Sequence, residues 1–244
     1  KHYSYPSIPQ LRNFITDLKL RAQYVGKDED GNPKYDESIK LPVLQLNGTV
    51  KLHGTNGGIS LDKGGEYYAM SREQILSAQV DNAGFFMFSQ KVKDYFYPLL
   101  ENIMADYNAA NRDSIHAVCI YGEWCGGSIK KGIALSNIDK TFVVFGIKVA
   151  VDAKHKDQEH HSIWLDNSLL RQFENEELGV YNIYSFPTYQ LEFDLNNPES
   201  SLDQLEKITL DIENECPVVK ELISRGHGKN RNNSTTGEGV VWTA

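Results

Sequence analysis

Apolar residues at Ile8, Leu11, Ile15, Leu18 and Ala22 recur near helical spacing, which predicts an amphipathic helix over residues 8–22. A polar run follows, Gly26-Lys27-Asp28-Glu29-Asp30-Gly31-Asn32-Pro33, whose Gly, Asn and Pro mark a turn or loop. Residues 41–51 are strand-like and end at a glycine-bearing turn. Residues 59–61 and 67–70 flank Lys63-Gly64-Gly65 and read as a hairpin. Residues 84–110 read as one long helix, and its aromatics (Phe85, Phe86, Phe88, Tyr95, Phe96) are expected to pack the core. Residues 114–124 and 141–151 are dense in β-branched and aromatic side chains and read as two buried strands. Helices are expected over 166–176 and 201–215, the second opened by a Ser201/Gln204 capping-box pattern. A polar loop, residues 226–239, leads into a short strand at 240–242. This mixture points to an α+β fold rather than a regular βαβ array.

With 244 residues, 40% of them hydrophobic, the chain can bury a sizeable core. No linker-like stretch divides it, so a single domain over residues 1–244 is expected. No apolar run approaches the roughly eighteen residues of a membrane-spanning helix, and the opening residues contain no signal-peptide core. Cys119, Cys125 and Cys216 are too few and too scattered for a disulfide framework or a four-ligand zinc site, and a reducing cytoplasm is the expected setting. The net charge of −8 argues against coating nucleic acid through bulk charge. It leaves room for an enzyme that grips a polynucleotide through a local basic face. Lys220, Arg225, Lys229 and Arg231 follow Cys216, against Glu221 and Glu238. Neither GxxxxGK[ST] nor a GxGxxG following a strand is present, so the usual phosphate-cradling loops are missing.

The most informative segment is Val50-Lys51-Leu52-His53-Gly54-Thr55-Asn56-Gly57-Gly58. A lysine closing a buried strand before a tight glycine turn holds its amine in one place, and desolvation or a neighbouring cation frees such an amine as a nucleophile. Taken alone, it reads equally as a surface lysine before a turn. Likewise Arg72 alone reads as a surface ion pair, Glu123 and Glu238 as parts of turns, and Phe145 as a core residue. The run His155-Lys156-Asp157-Gln158-Glu159-His160-His161 reads as a solvated loop rather than a metal site, and Cys125 as a packed thiol.

Several such segments in order change the picture. Lys51-Leu52-His53-Gly54-Thr55-Asn56 resembles the nucleotidyl-lysine motif of the covalent nucleotidyltransferases, in the RNA-ligase form that has His at the third position. Ser71-Arg72 follows at the expected distance. Tyr121-Gly122-Glu123-Trp124 resembles the family's glutamate motif, Phe142-Val143-Val144-Phe145-Gly146-Ile147 its aromatic strand, and Glu238-Gly239-Val240-Val241 its next glutamate motif. The opening Tyr3-Ser4-Tyr5-Pro6 also has the look of the family's N-terminus. On these residues the chain resembles the bacteriophage RNA ligase 2 family of ATP-dependent RNA ligases.

The resemblance implies an α+β nucleotidyltransferase (adenylation) fold of two packed, mainly antiparallel sheets with flanking helices, enclosing an ATP pocket. It implies a monomeric enzyme that joins RNA 3′-OH and 5′-phosphate ends through lysine-AMP and RNA-adenylate intermediates, with Mg²⁺ or Mn²⁺. Lys51 would attack the α-phosphorus. Arg72 would hold phosphate or ribose oxygens, Glu123 would accept from ribose hydroxyls, and Phe145 would stack on adenine. Glu238 would help bind the metal, His53 and Asn56 would flank the nucleophile, and Lys220, in preference to Lys229, would add a phosphate-binding cation. Two departures stand out. Gly146 occupies a position that is Asp in the bacteriophage prototype, and the prototype's later lysine-rich motif and C-terminal RNA-binding domain have no counterpart here. The other readings of the same motifs are a DNA ligase, an mRNA-capping guanylyltransferase, and a non-catalytic RNA-binding relic.

Overall fold

In a computed structural model the chain is described over residues 1–111, 115–152, 160–228 and 234–243. Helix α1 (Leu11–Gln23) opens the fold and runs into a small hairpin, β1 (Tyr24–Lys27) and β2 (Pro33–Tyr35). The polar run at 26–33 is thus the tip of that hairpin. Asp28 closes it by accepting from the backbone N–H of Asp30 and of Asn32.

Two larger sheets carry the rest. Strands β3 (Val43–Val50), β10 (Thr188–Asp194) and β11 (Val240–Thr243) form a three-stranded antiparallel sheet in the order β10-β3-β11. The six-stranded sheet runs β5 (Tyr67–Ser71), β4 (Thr55–Asp62), β6 (Ile115–Cys125), β7 (Thr141–Asp152) and β8 (His160–Trp164). All of these pairs are antiparallel, while the short β9 (Val180–Asn182) lies parallel to β7 at residues 142–144.

Alternation along β4, β6 and β7 sends Ile59, Leu61, Val118, Ile120, Phe142 and Ile147 to one face, all of them buried. Helices α2 (Phe85–Lys91) and α3 (Lys93–Ala110) pack there. The expected helix over 84–110 is therefore two, separated at Val92. Its aromatics fill the core as expected: Phe85, Phe88 and Phe96 meet Phe142 at ring-centroid distances of 4.9, 6.1 and 6.2 Å.

Two expected helices differ from the chain's actual course. Residues 166–176 form a 3₁₀ turn at Asn167–Gln172, and a second, Glu176–Leu178, follows. Asp166 and Asn175 accept from Ser168 and Leu178 backbone N–H groups and close each turn locally. Helix α4 (Glu199–Asn214) begins before Ser201, whose hydroxyl does not cap it. Buried Ser201 instead donates to the Glu192 carbonyl and accepts from Asp194 N–H, tying α4 to β10. A further helix, α5 (Pro217–Ser224), starts on Pro217 at its first position, where the missing N–H has no partner to lose. Residues His155 and Lys229 lie outside the described residues. Among the described residues, no helix is long and apolar enough to cross a membrane.

Candidate active site

The site forms where ends of the two sheets meet. Lys51 follows β3, and its backbone N–H donates to the Gly239 carbonyl at the entrance to β11 (2.9 Å). Gly239 has φ +125°, a conformation that favours glycine, and links Glu238 to β11. Lys51 Nζ donates to Glu238 Oε1 at 2.7 Å, and His53 Nδ1 lies 3.2 Å from the same oxygen. Two side chains of one turn thus share a carboxylate oxygen that comes from almost 190 positions further along the chain. Half of the Lys51 side chain is exposed (50%), so the amine is open to a reactant.

Glu123 enters from β6. Its Oε1 accepts the Gly54 N–H at 2.8 Å, clamping the turn that carries Lys51 and His53 onto the sheet. The clamp requires glycine, since a Cβ on residue 54 would run into the Trp124 carbonyl and come within 2.8 Å of the Cys125 Cβ. Burial pushes the Glu123 carboxyl up to about 7. The Glu238 charge adds to the rise, whereas the Gly54 hydrogen bond, Arg72 and Lys51 pull it down. Glu123, Glu238, Arg72 and Lys51 therefore lie within one electrostatic neighbourhood. Asn56 pairs with Glu123 across the β4–β6 ladder. Arg72 immediately follows β5, on the strand next to Asn56.

Phe145 sits at an irregularity in β7. Opposite it, Tyr121 pairs with Gly146 and Gly122 with Val144, so Phe145 is the extra residue of a β-bulge. Such a residue is released from strict alternation, which re-aims its side chain. The half-buried ring lies against Tyr5, with centroids 5.1 Å apart and planes at 68°. Tyr5 had no assigned role in the sequence reading, because nothing local connects it to a strand 140 residues away.

A cleft of about 330 Å³ opens beside Lys51, His53 and Glu238. Residues 132–135, Cys216, Ser234, Thr236 and Gly237 complete its walls, with Lys130 and Lys131 exposed just before Gly132. None of these was assigned a site role from sequence. Lys220 stands on α5 one turn from the cleft residue Cys216, and its exposed amine pairs with Glu215 at 2.6 Å. Cys125 is fully buried and its thiol is pushed well up by burial, as a packed thiol should be.

Among the described residues, no group of three or more His, Cys, Asp and Glu side chains could hold a metal ion by itself. A hard cation takes oxygen ligands, and Glu238 is the carboxylate that lines this cleft.

This is a mixed α/β fold of antiparallel sheets and helices, and it is shared with a solved RNA ligase. The Naegleria gruberi RNA ligase with PPi matches over 99% of this chain and 52% of its own, with a TM-score of 0.51 and 15% sequence identity. The chain thus spans about half the length of that ligase. Residues 45–244 match the RNA ligase family, and the chain belongs to that family. Comparison with curated protein sequences gives no match.

Proposed function

We propose that this chain is the adenylation domain of an ATP-dependent RNA ligase of the ligase 2 type, which joins RNA 3′-OH and 5′-phosphate ends through AMP carried on Lys51. The observation that carries the reading is the convergence of Lys51 and His53 on one oxygen of Glu238, with Glu123 clamping the same turn through Gly54.

Three displacements at phosphorus make up the reaction. First, Lys51 Nζ attacks the α-phosphorus of ATP, an N–P bond forms, and the P–O bond to pyrophosphate breaks. Glu238, already hydrogen-bonded to the amine, stands ready to take the proton that the amine must lose. Next, an RNA 5′-phosphate oxygen attacks that phosphorus, the N–P bond breaks, and AMP passes to the RNA end. Finally, a 3′-OH attacks the RNA 5′-phosphorus and AMP leaves. His53 lies beside the nucleophile and can orient or donate to phosphate oxygens in these steps.

Arg72 supplies a permanently charged fork for phosphate oxygens. Glu123 and Asn56, paired across β4 and β6, face the ribose, and bulged Phe145 offers a ring to the adenine. Mg²⁺ or Mn²⁺ held by Glu238 would neutralise charge on the phosphate oxygens. That the similar Naegleria ligase was solved with PPi agrees with a reaction that releases pyrophosphate.

The test is a nicked RNA duplex with a labelled 5′-phosphate at the nick, incubated with ATP and Mg²⁺. A joined strand that requires ATP is the expected product. A chain that binds the nicked duplex yet joins neither it nor the same duplex pre-adenylylated would instead be a binding relic.

A further inference from the structure

All of the first five residues are tied to the six-stranded sheet, on the face turned away from α2 and α3. The Lys1 carbonyl accepts from Tyr68 Oη (2.7 Å), and His2 Nε2 meets the Ser71 carbonyl (3.0 Å). Tyr3 N–H points to the Met70 sulfur (3.5 Å), while its carbonyl accepts from Tyr121 Oη (2.7 Å). Lys148 Nζ donates to the Ser4 carbonyl (2.9 Å).

Lys148 is an uncommon anchor. It is a mid-strand lysine only 7% exposed, and its amine lies 5.2 and 5.5 Å from the ring centroids of Tyr121 and Trp164. A buried ammonium must find partners, and here two aromatic faces and the strap's own carbonyl supply them.

The strap delivers Tyr5 to the candidate site. Its ring centroid lies 5.1 Å from Phe145, 5.4 Å from Tyr121 and 5.5 Å from Trp164. Burial raises the phenol pKa, and the charges of Arg72 and Glu123 act on it in opposite directions, so Tyr5 stands between the aromatic and the charged halves of the site. The other tethers dock the strap without Tyr5. What Tyr5 adds is a neighbour for Phe145, whose position in a bulge leaves its ring orientation to be set by what packs on it.

We propose that the N-terminal strap is a wall of the purine-nucleotide site, with Tyr5 as the positioning residue that holds the Phe145 ring for base stacking. This rests on the assignment of Phe145 to the base. The strap would therefore govern how tightly ATP is held and how well adenine is told from guanine, while leaving the chemistry at Lys51 alone.

The experiment compares the full chain with Tyr5→Ala and Tyr5→Phe, and adds Tyr5→Leu should the alanine variant fold poorly. Binding of a non-hydrolysable ATP analogue and of its guanine counterpart is measured by calorimetry with Mg²⁺. Lysine-adduct formation is followed against ATP concentration. Tyr5→Ala is expected to weaken analogue binding about tenfold, the scale of one lost aromatic contact, and to narrow the preference for adenine. Its adduct-forming rate at saturating ATP should stay within about twofold of the parent, and Tyr5→Phe should restore binding.

Unchanged binding in a folded Tyr5→Ala or Tyr5→Leu chain would overturn the proposal, as would an equal loss in Tyr5→Phe. A parent chain that binds the analogue through Tyr5 yet forms no adduct would sink the Lys51 chemistry and leave this inference standing. A parent chain that binds no nucleotide would end both.

Discussion

Glu123 is held in a conflict that its surroundings do not fully resolve. Burial and the Glu238 charge favour the protonated acid, while Gly54 N–H, Arg72 and Lys51 favour the carboxylate, and the balance falls at about 7 against an ordinary 4.5. Across the window between those values, the folded chain holds a proton that the unfolded chain has released. Stability therefore falls as pH rises through that window and levels off above about 7. Glu123→Gln keeps an acceptor for Gly54 and removes the ionisation. Urea unfolding at pH 5 and pH 8 should show the parent losing on the order of 1–3 kcal/mol more than the variant across that interval. Equal slopes for the two chains would mean that Glu123 is not desolvated as the geometry indicates. The Lys51–Glu238 contact belongs to a different class. With side chains 50% and 29% exposed it adds little to stability, so its short distance is better read as poise for chemistry.

The turn between β3 and β4 is the element on which the site depends, and Gly54 is its tightest point. Gly54→Ala forces a Cβ against the Trp124 carbonyl, so the turn must lift away from β6 and break the hydrogen bond to Glu123. The expected result is a loss of about 1–3 kcal/mol in stability, together with a drop in RNA joining larger than the lost folded fraction explains. Thermal melts and joining assays on the same preparation would separate the two effects.

Local pattern made some of these elements legible. Strands β6 and β7 show in their β-branched and aromatic runs, the β4–β5 hairpin in Lys63-Gly64-Gly65, and β11 in Val240-Val241-Trp242. The apolar spacing of Leu169, Leu170 and Phe173 suits a 3₁₀ turn as well as an α-helix, so the period alone misled over 166–176. Strand β10 alternates Tyr189, Leu191 and Phe193 with polar residues, the local pattern of a half-buried strand. Helix α5 also carries local signals, Pro217 at its first position and Val218, Val219 and Leu222 at helical spacing on its buried face.

At the scale of the whole molecule, the site is a product of topology. Pairing of β11 with β3 brings Glu238 to Lys51, the β4–β6 ladder sets Glu123 opposite Asn56, and the N-terminal strap carries Tyr5 to Phe145. The motifs could be named in sequence because each keeps its residues together. The shared oxygen of Glu238, the Gly54 clamp, the Phe145 bulge and the cleft beside residues 132–135 could not, since each arises between segments far apart in the chain. Lys220, which the resemblance suggested, pairs with Glu215.

The central claim is that Lys51 carries AMP. It is tested most directly by incubating the chain with Mg²⁺ and α-labelled ATP in the absence of RNA, denaturing it, and asking whether label stays on the protein. Label retained by the parent chain and absent from a folded Lys51→Ala variant is the predicted result. Label retained equally by Lys51→Ala would contradict the account, because the nucleophile would then be a different residue.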